Sequence, residues 1–340
     1  MSTTTTIDPS VVKLISARNG FLQIGQPILF ILGTIGCLLN IIIFLRPSMR
    51  KNSCALYFHT STWANLVCLT WGLFISMFSF FTNNNPLVYS SSLCKIRYYI
   101  LTAAQLISRG CVVLACLDRL LLCSRNVQYR LFCQIKIAFK IICIIILSCL
   151  CLSIYVLFVY DSFPQTHQCT TNSSIGKIID TTVLFVFNFG IPALFMSIFT
   201  GMMIWKLKQN ARRFRQERIH VRKRDIQLST MLIGQVVLYI VTALPFVSNF
   251  IYLTITQYDP PSSRTPYRNA AESLSITATG AFGTFVFNAM TFYVYTLTAP
   301  SFRRELFLLI IPRRQIHHFQ RTDQHQFIRN NRINPSYQQT

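Results

Sequence analysis

CKIRYYILTAAQLISRGCVVLACLDR, residues 94–119, decides how the rest of the chain is read. It opens on Cys94, continues through an apolar run from Ile100 to Leu117 and closes on Asp118-Arg119-Leu120, after which Ser124-Arg125-Asn126 turn the chain polar. An α-helix rises about 1.5 Å per residue, so the path from Cys94 to Arg119 covers about 37 Å, enough to cross a bilayer with one residue at each face. Cys94 and the Asp118-Arg119 pair are therefore expected on opposite sides of a membrane.

Composition extends that reading. Hydrophobic residues make up 52% of the 340 and charged residues 12%, too apolar a balance for a soluble globular domain. The net charge of +22 would point to nucleic acid in a soluble protein, but in a membrane protein it encodes orientation, and no nucleic-acid partner is expected. Lys and Arg crowd the segment from Lys206 to Arg224, opposed by Glu217 alone, and recur after Ala299, whereas the loops on the other side mix both signs. The positive-inside rule puts the basic segments in the cytoplasm and the amino terminus outside. Of twelve cysteines, Cys37, Cys68, Cys111, Cys116, Cys143, Cys149 and Cys151 fall inside apolar runs, where a thiol behaves as a small hydrophobe. Cys94 and Cys169 fall in segments placed on the oxidising side.

Six further apolar runs, about residues 22–45, 54–81, 137–160, 178–207, 226–255 and 272–298, complete seven spans. The first twenty residues carry no basic-then-apolar leader, so the first span is expected to serve as its own insertion signal. The fold class expected is an all-α membrane protein, a seven-transmembrane helix bundle with a short amphipathic eighth helix. Its divisions are an outer amino terminus (1–20), the helical domain (21–299), the amphipathic helix (300–312) and a polar, disordered cytoplasmic tail (313–340). In residues 300–309, Phe302, Leu306, Phe307 and Leu309 alternate with Arg303, Arg304 and Glu305, as expected of a helix lying against membrane lipid.

Polar residues within such spans are costly and need partners. Asn40, Asn65 and Arg109 are candidates for interhelical bonds. Arg109 lies about 15 Å deeper than Arg119, should face the bundle interior, and has no obvious acid. The expectation is that it bonds backbone carbonyls freed by Pro192 and Pro245, which bend the fifth and sixth helices and serve as hinges. Asn172-Ser173-Ser174 is an N-glycosylation sequon on the side assigned to the exterior.

The spacing of Cys94 to Asp118-Arg119 resembles the third helix of the rhodopsin-like (class A) G-protein-coupled receptors, with Leu120 in place of the usual tyrosine. The likeness covers about residues 20–312 and is most like divergent invertebrate neuropeptide receptors. It implies a Cys94–Cys169 disulfide, and a role for Asn40 in tying the first, second and seventh helices together. Ala64-Asn65-Leu66 resembles the family's Ala-Asp-Leu without its charge, so no sodium site is expected; plain interhelical bonding of Asn40 and Asn65 remains the alternative. Pro192 and Pro245 match the family's helix-five and helix-six prolines, with Ala243 where the tryptophan switch would lie. Asp225, twenty residues before Pro245, takes the place of the acid that pairs with Arg119 in competition with Asp118; alternatively it offsets Arg222, Lys223 and Arg224. In the seventh helix two registers compete. Anchoring on Phe302 makes Tyr295 the motif tyrosine and puts Thr291 and Phe292 in place of Asn and Pro; anchoring on Asn288 keeps the asparagine alone. The first is preferred.

The resemblance implies a receptor that binds an extracellular ligand and activates a heterotrimeric G protein through a helix 3/helix 6 rearrangement, with Asp118, Arg119, Asp225 and Tyr295 as the switch. Leu101 stands where amine receptors carry an aspartate, and the seventh helix has no lysine for a Schiff base, so a small peptide is the expected ligand. Leu101, Gln105, Asp180 and Glu272 are candidate pocket-wall residues, the two acids being suited to a cationic peptide. A seven-helix ligand-gated channel or transporter is the alternative. It would carry ionisable groups along a path at mid-membrane depth, where only Arg109 qualifies. No catalytic grouping, metal-ligand set or cofactor motif is present, and no enzyme is expected.

Overall fold

A computed structural model describes residues 8–310 except 48, 83–85, 125, 164–167, 218–222 and 257–264; at 86, 127, 168, 210–217, 223–226, 282, 301 and 310 it describes the backbone alone. The expected tail, residues 313–340, lies outside the described residues. Helices α1 (Pro9–Phe44), α2 (Ser53–Thr82), α3 (Ser91–Leu122), α4 (Ile135–Val159) and α5 (Ser174–Gln209) run in order, followed by α6 (Lys223–Thr256), α7 (residues 266–298) and α8 (Pro300–Ile310). Strands β1 (Tyr160–Phe163) and β2 (Gln168–Thr171) form an antiparallel hairpin between α4 and α5, with Ser162 opposite Cys169.

Local sequence explains where the helices start. The Asp8 carboxylate accepts from the Ser10 amide at 2.8 Å with Pro9 at the first helical position, so α1 begins well before the apolar run and its first turns pack against the start of α7. Asn52, Ser90 and Ser173 cap α2, α3 and α5 in the same way.

Among the described residues, six helices are long and apolar enough to cross a membrane, namely α1 to α5 and the Gln227–Thr256 part of α6. The seventh, α7, is more polar, yet four of its threonine hydroxyls are satisfied within the helix. Thr277, Thr279, Thr296 and Thr298 each donate to the carbonyl one turn back, at 2.7–2.9 Å. The result is the all-α, seven-helix membrane bundle that the sequence predicts.

Burial runs opposite to that of a soluble protein. On α1, Ile24, Ile28, Ile31, Ile35, Leu38 and Ile42 are exposed at helical spacing, an apolar stripe suited to lipid. The other face buries Gly33, Gly36, Cys37 and Asn40. A Cβ on Gly33 would stand 2.8 Å from the Ala289 Cβ, and one on Gly36 would stand 2.9 Å from the Phe292 Cβ, so the two glycines let α1 approach α7 closely. At the Arg119 end, Phe44, Phe58, Tyr295 and Phe302 interlock with centroids 5.1–5.9 Å apart. Arg46 pairs with Glu305 at 3.0 Å, which holds α8 to the end of α1.

Short π-helical turns interrupt α1, α2, α5 and α7, the last two at Leu184–Gly190 and Phe282–Val286. Such turns leave backbone carbonyls without their usual partners. One of those carbonyls, that of Gly283, becomes part of the site.

Candidate functional site

Helix α3 carries three polar levels along one axis. At its first end, Cys94 and Cys169 form a disulfide with Cα atoms 5.8 Å apart, which joins β2 to the start of α3. Tyr98 stacks on Tyr160 of β1 at 4.2 Å between ring centroids. The Ser91 hydroxyl and the Ser162 amide donate to Asp161, holding its carboxyl below the usual range.

The expected pocket-wall acids are both engaged at this end. Asp180 accepts the phenol hydroxyls of Tyr155 at 3.0 Å and Tyr160 at 2.9 Å, one on each oxygen. Glu272 accepts from Arg268 at 2.9 Å and from the Tyr252 hydroxyl at 3.3 Å. Leu101 faces α2, with a methyl 3.3 Å from the position of a Cβ on Gly72. Asn172 is exposed, its side-chain amide donating to the Phe158 carbonyl at 2.8 Å.

At mid-depth Arg109, 1% exposed, faces the bundle interior as predicted. One expectation is corrected. Its partners are the Gln105 side chain at 3.3 Å, the Asn188 side chain at 2.6 Å and the Gly283 carbonyl in the π turn of α7 at 3.1 Å, not the carbonyls freed by prolines. Pro192 lacks the amide that would bond the Asn188 carbonyl, and the Tyr239 hydroxyl of α6 fills that role, donating to Asn188 at 2.6 Å. The aromatic rings of Phe189 and Tyr239 flank the guanidinium at 5.1 and 5.9 Å. At the adjoining position of α3, the Ser108 hydroxyl donates to Asn65 and also meets Ser61 at 3.1 Å, so Asn65 does join α2 to α3. Asn40 is fully buried, but neither of its side-chain atoms has a partner among the described residues, so the interhelical bond expected of it is not seen.

At the opposite end Arg119, 2% exposed, bonds Asp118 at 2.6 Å and Asn52 at 2.9 Å. The Asn52 side chain thus has two duties, capping α2 and accepting from Arg119. The side chain of Asp225 lies outside the described residues. Tyr295 is buried and donates to Gln235 of α6 at 2.7 Å, its ring 5.8 Å from that of Phe302.

Asn52, Ser108, Asn188, Gln235 and Tyr239 complete these levels, and sequence reading missed all five. Asn188 and Gln235 had a usable signal, since each is a strongly polar residue inside an apolar run, the criterion that picked out Asn40.

The family described as 7 transmembrane receptor (rhodopsin family) matches the chain over residues 36–299. No curated protein matches it.

Proposed function

The chain belongs to the rhodopsin family of seven-transmembrane receptors, and on that premise we propose that it binds a small extracellular peptide at its disulfide end and activates a heterotrimeric G protein at its Arg119 end. Its location is then the plasma membrane, with the amino terminus outside and Asn172 available for glycosylation.

The observation that carries the reading is the Arg119 latch. A guanidinium buried at the inner end of α3, held by its neighbour Asp118 and by the cap of α2, is a resting arrangement with a defined way to open. Ligand binding shifts the population toward a state in which the inner end of α6 moves outward, with Pro192 and Pro245 as hinges. The bonds from Tyr239 to Asn188 and from Tyr295 to Gln235 tie α6 to α5 and α7, so their rearrangement accompanies that motion. Asp225 is a further partner for Arg119 in the resting state. Lys206 and Lys208, with the basic residues after them, meet acidic lipid or the G protein.

A peptide-library screen in cells carrying a promiscuous G protein tests the reading. A peptide should evoke signalling that Arg119→Ala abolishes at equal surface expression. Signalling undiminished by Arg119→Ala, or an evoked ion current that persists without G protein, would overturn it.

A further inference from the structure

Charge at the disulfide end is unevenly satisfied. Asp161, Asp180 and Glu272 all have close partners. Arg268 pairs with Glu272, but three other guanidiniums are held differently. Arg18 donates to the Thr277 hydroxyl at 3.4 Å, Arg97 to the carbonyls of Trp71 and Gly72 at 3.2 and 3.1 Å, and Arg109 to two side-chain amides and a carbonyl. Among the described residues none of these three forms an ion pair.

Arg109 is the extreme case. None of the chain's acids falls at its depth in any span, and the nearest on its own helix, Asp118, is bonded to Arg119. Its Nε is buried without a partner among the described residues. Burying an ion costs several kcal/mol unless it is matched, and amide oxygens match a guanidinium less well than a carboxylate does. A helical side chain leans toward its own N-terminus, so the guanidinium is carried toward the disulfide end, where Gln105 meets it one turn up.

We propose that Arg109 anchors an anionic group, a carboxylate or phosphate, on the ligand that enters from the disulfide end. The proposal rests on the reading that this end receives the ligand, and it specifies that ligand's chemistry. Gln105 and Asn188 hold the anion's place. The Gln105 oxygen accepts from both Arg109 and the Asn188 amide, at 3.3 and 3.2 Å, so an incoming anion competes with one shared acceptor; the rings of Phe189 and Phe246, stacked at 4.6 Å beside the guanidinium, must part to admit it. Nε and Nη2 lie along one edge of a guanidinium, the edge that takes a carboxylate with two bonds. Here Nε is free and Nη2 uses one of its two hydrogens on Gly283. A cationic ligand would find Asp180 and Glu272 already occupied.

The test is thermal unfolding of the purified full-length protein in lipid nanodiscs with benzoate or phenyl phosphate, against benzamide at equal concentration and sodium chloride at equal ionic strength. At least one organic anion should raise the unfolding temperature by a few degrees above both controls. Arg109→Gln should lose the shift and Arg109→Lys should keep part of it. The idea is overturned by organic anions indistinguishable from benzamide in the wild type, by a shift that survives in Arg109→Gln, or by chloride alone reproducing it, which would mark a halide site. The wild-type comparison decides even where Arg109→Gln does not fold. Basal nucleotide exchange of the wild type and Arg119→Ala, measured without probes, reports on the receptor reading separately.

Discussion

Asn52 shows how a residue of no apparent consequence in the sequence acquires two duties through position. It precedes the first turn of α2, where a side-chain oxygen satisfies an otherwise orphaned amide, and the same oxygen accepts from Arg119. Asn52→Ala should therefore lower the unfolding temperature through loss of the cap, worth about 1 kcal/mol, and raise basal nucleotide exchange by loosening the latch. Asn52→Asp keeps the cap, adds a charge opposite Arg119, and should lower basal exchange. Opposite changes in exchange for the two variants support the dual role; equal changes would reduce Asn52 to a cap. At this scale legibility followed chemistry. Arg109 and Asn65 were visible because polarity inside an apolar run demands a partner, whereas which partner depends on helix packing that spacing along one chain does not encode. Asp180 and Glu272 were visible as acids, but their phenol and guanidinium partners come from other elements or from an adjoining turn.

The helices themselves were the most legible part, since an apolar run of membrane length permits little else. Their ends shifted by a few residues, and α1 began at Pro9 because the Asp8 cap and the packing on α7 extend a helix beyond its apolar segment. The π turns were not legible, because the apolar pattern is the same through them as through the α-helical turns on either side. The contact between α1 and α7 is testable as an element. Gly36→Leu would force a side chain against Phe292, whose Cβ would lie 2.9 Å from the new Cβ, and overpacking of this kind costs about 1–3 kcal/mol. A Cβ added at Gly201 would meet nothing within 4 Å, so Gly201→Leu serves as the control. A clear drop in unfolding temperature for Gly36→Leu, with little change for Gly201→Leu, is the expected result. Equal tolerance of both would mean that α1 and α7 do not approach this closely in the membrane.

For the whole molecule, the hairpin between α4 and α5 is fixed to the bundle in three ways. The Cys94–Cys169 disulfide joins it to α3, Tyr98 stacks on Tyr160, and Asp180 of α5 accepts from Tyr160 and from Tyr155 of α4. The disulfide closes a sequence separation of 75 residues, for which loop-entropy reasoning gives about 4–5 kcal/mol in a freely unfolded chain. Because the hairpin keeps its other two attachments, Cys169→Ser should cost less than that, and Cys94→Ser with Cys169→Ser should cost no more than either alone. Asp180→Asn should then be more damaging in the disulfide-free background than in the wild type, since groups that restrain the same element are not additive. Unfolding temperatures of the four proteins close this double-mutant cycle. An additive outcome would show that the carboxylate and the disulfide stabilise separate parts of the fold, and that the hairpin is not held as one unit over the disulfide end.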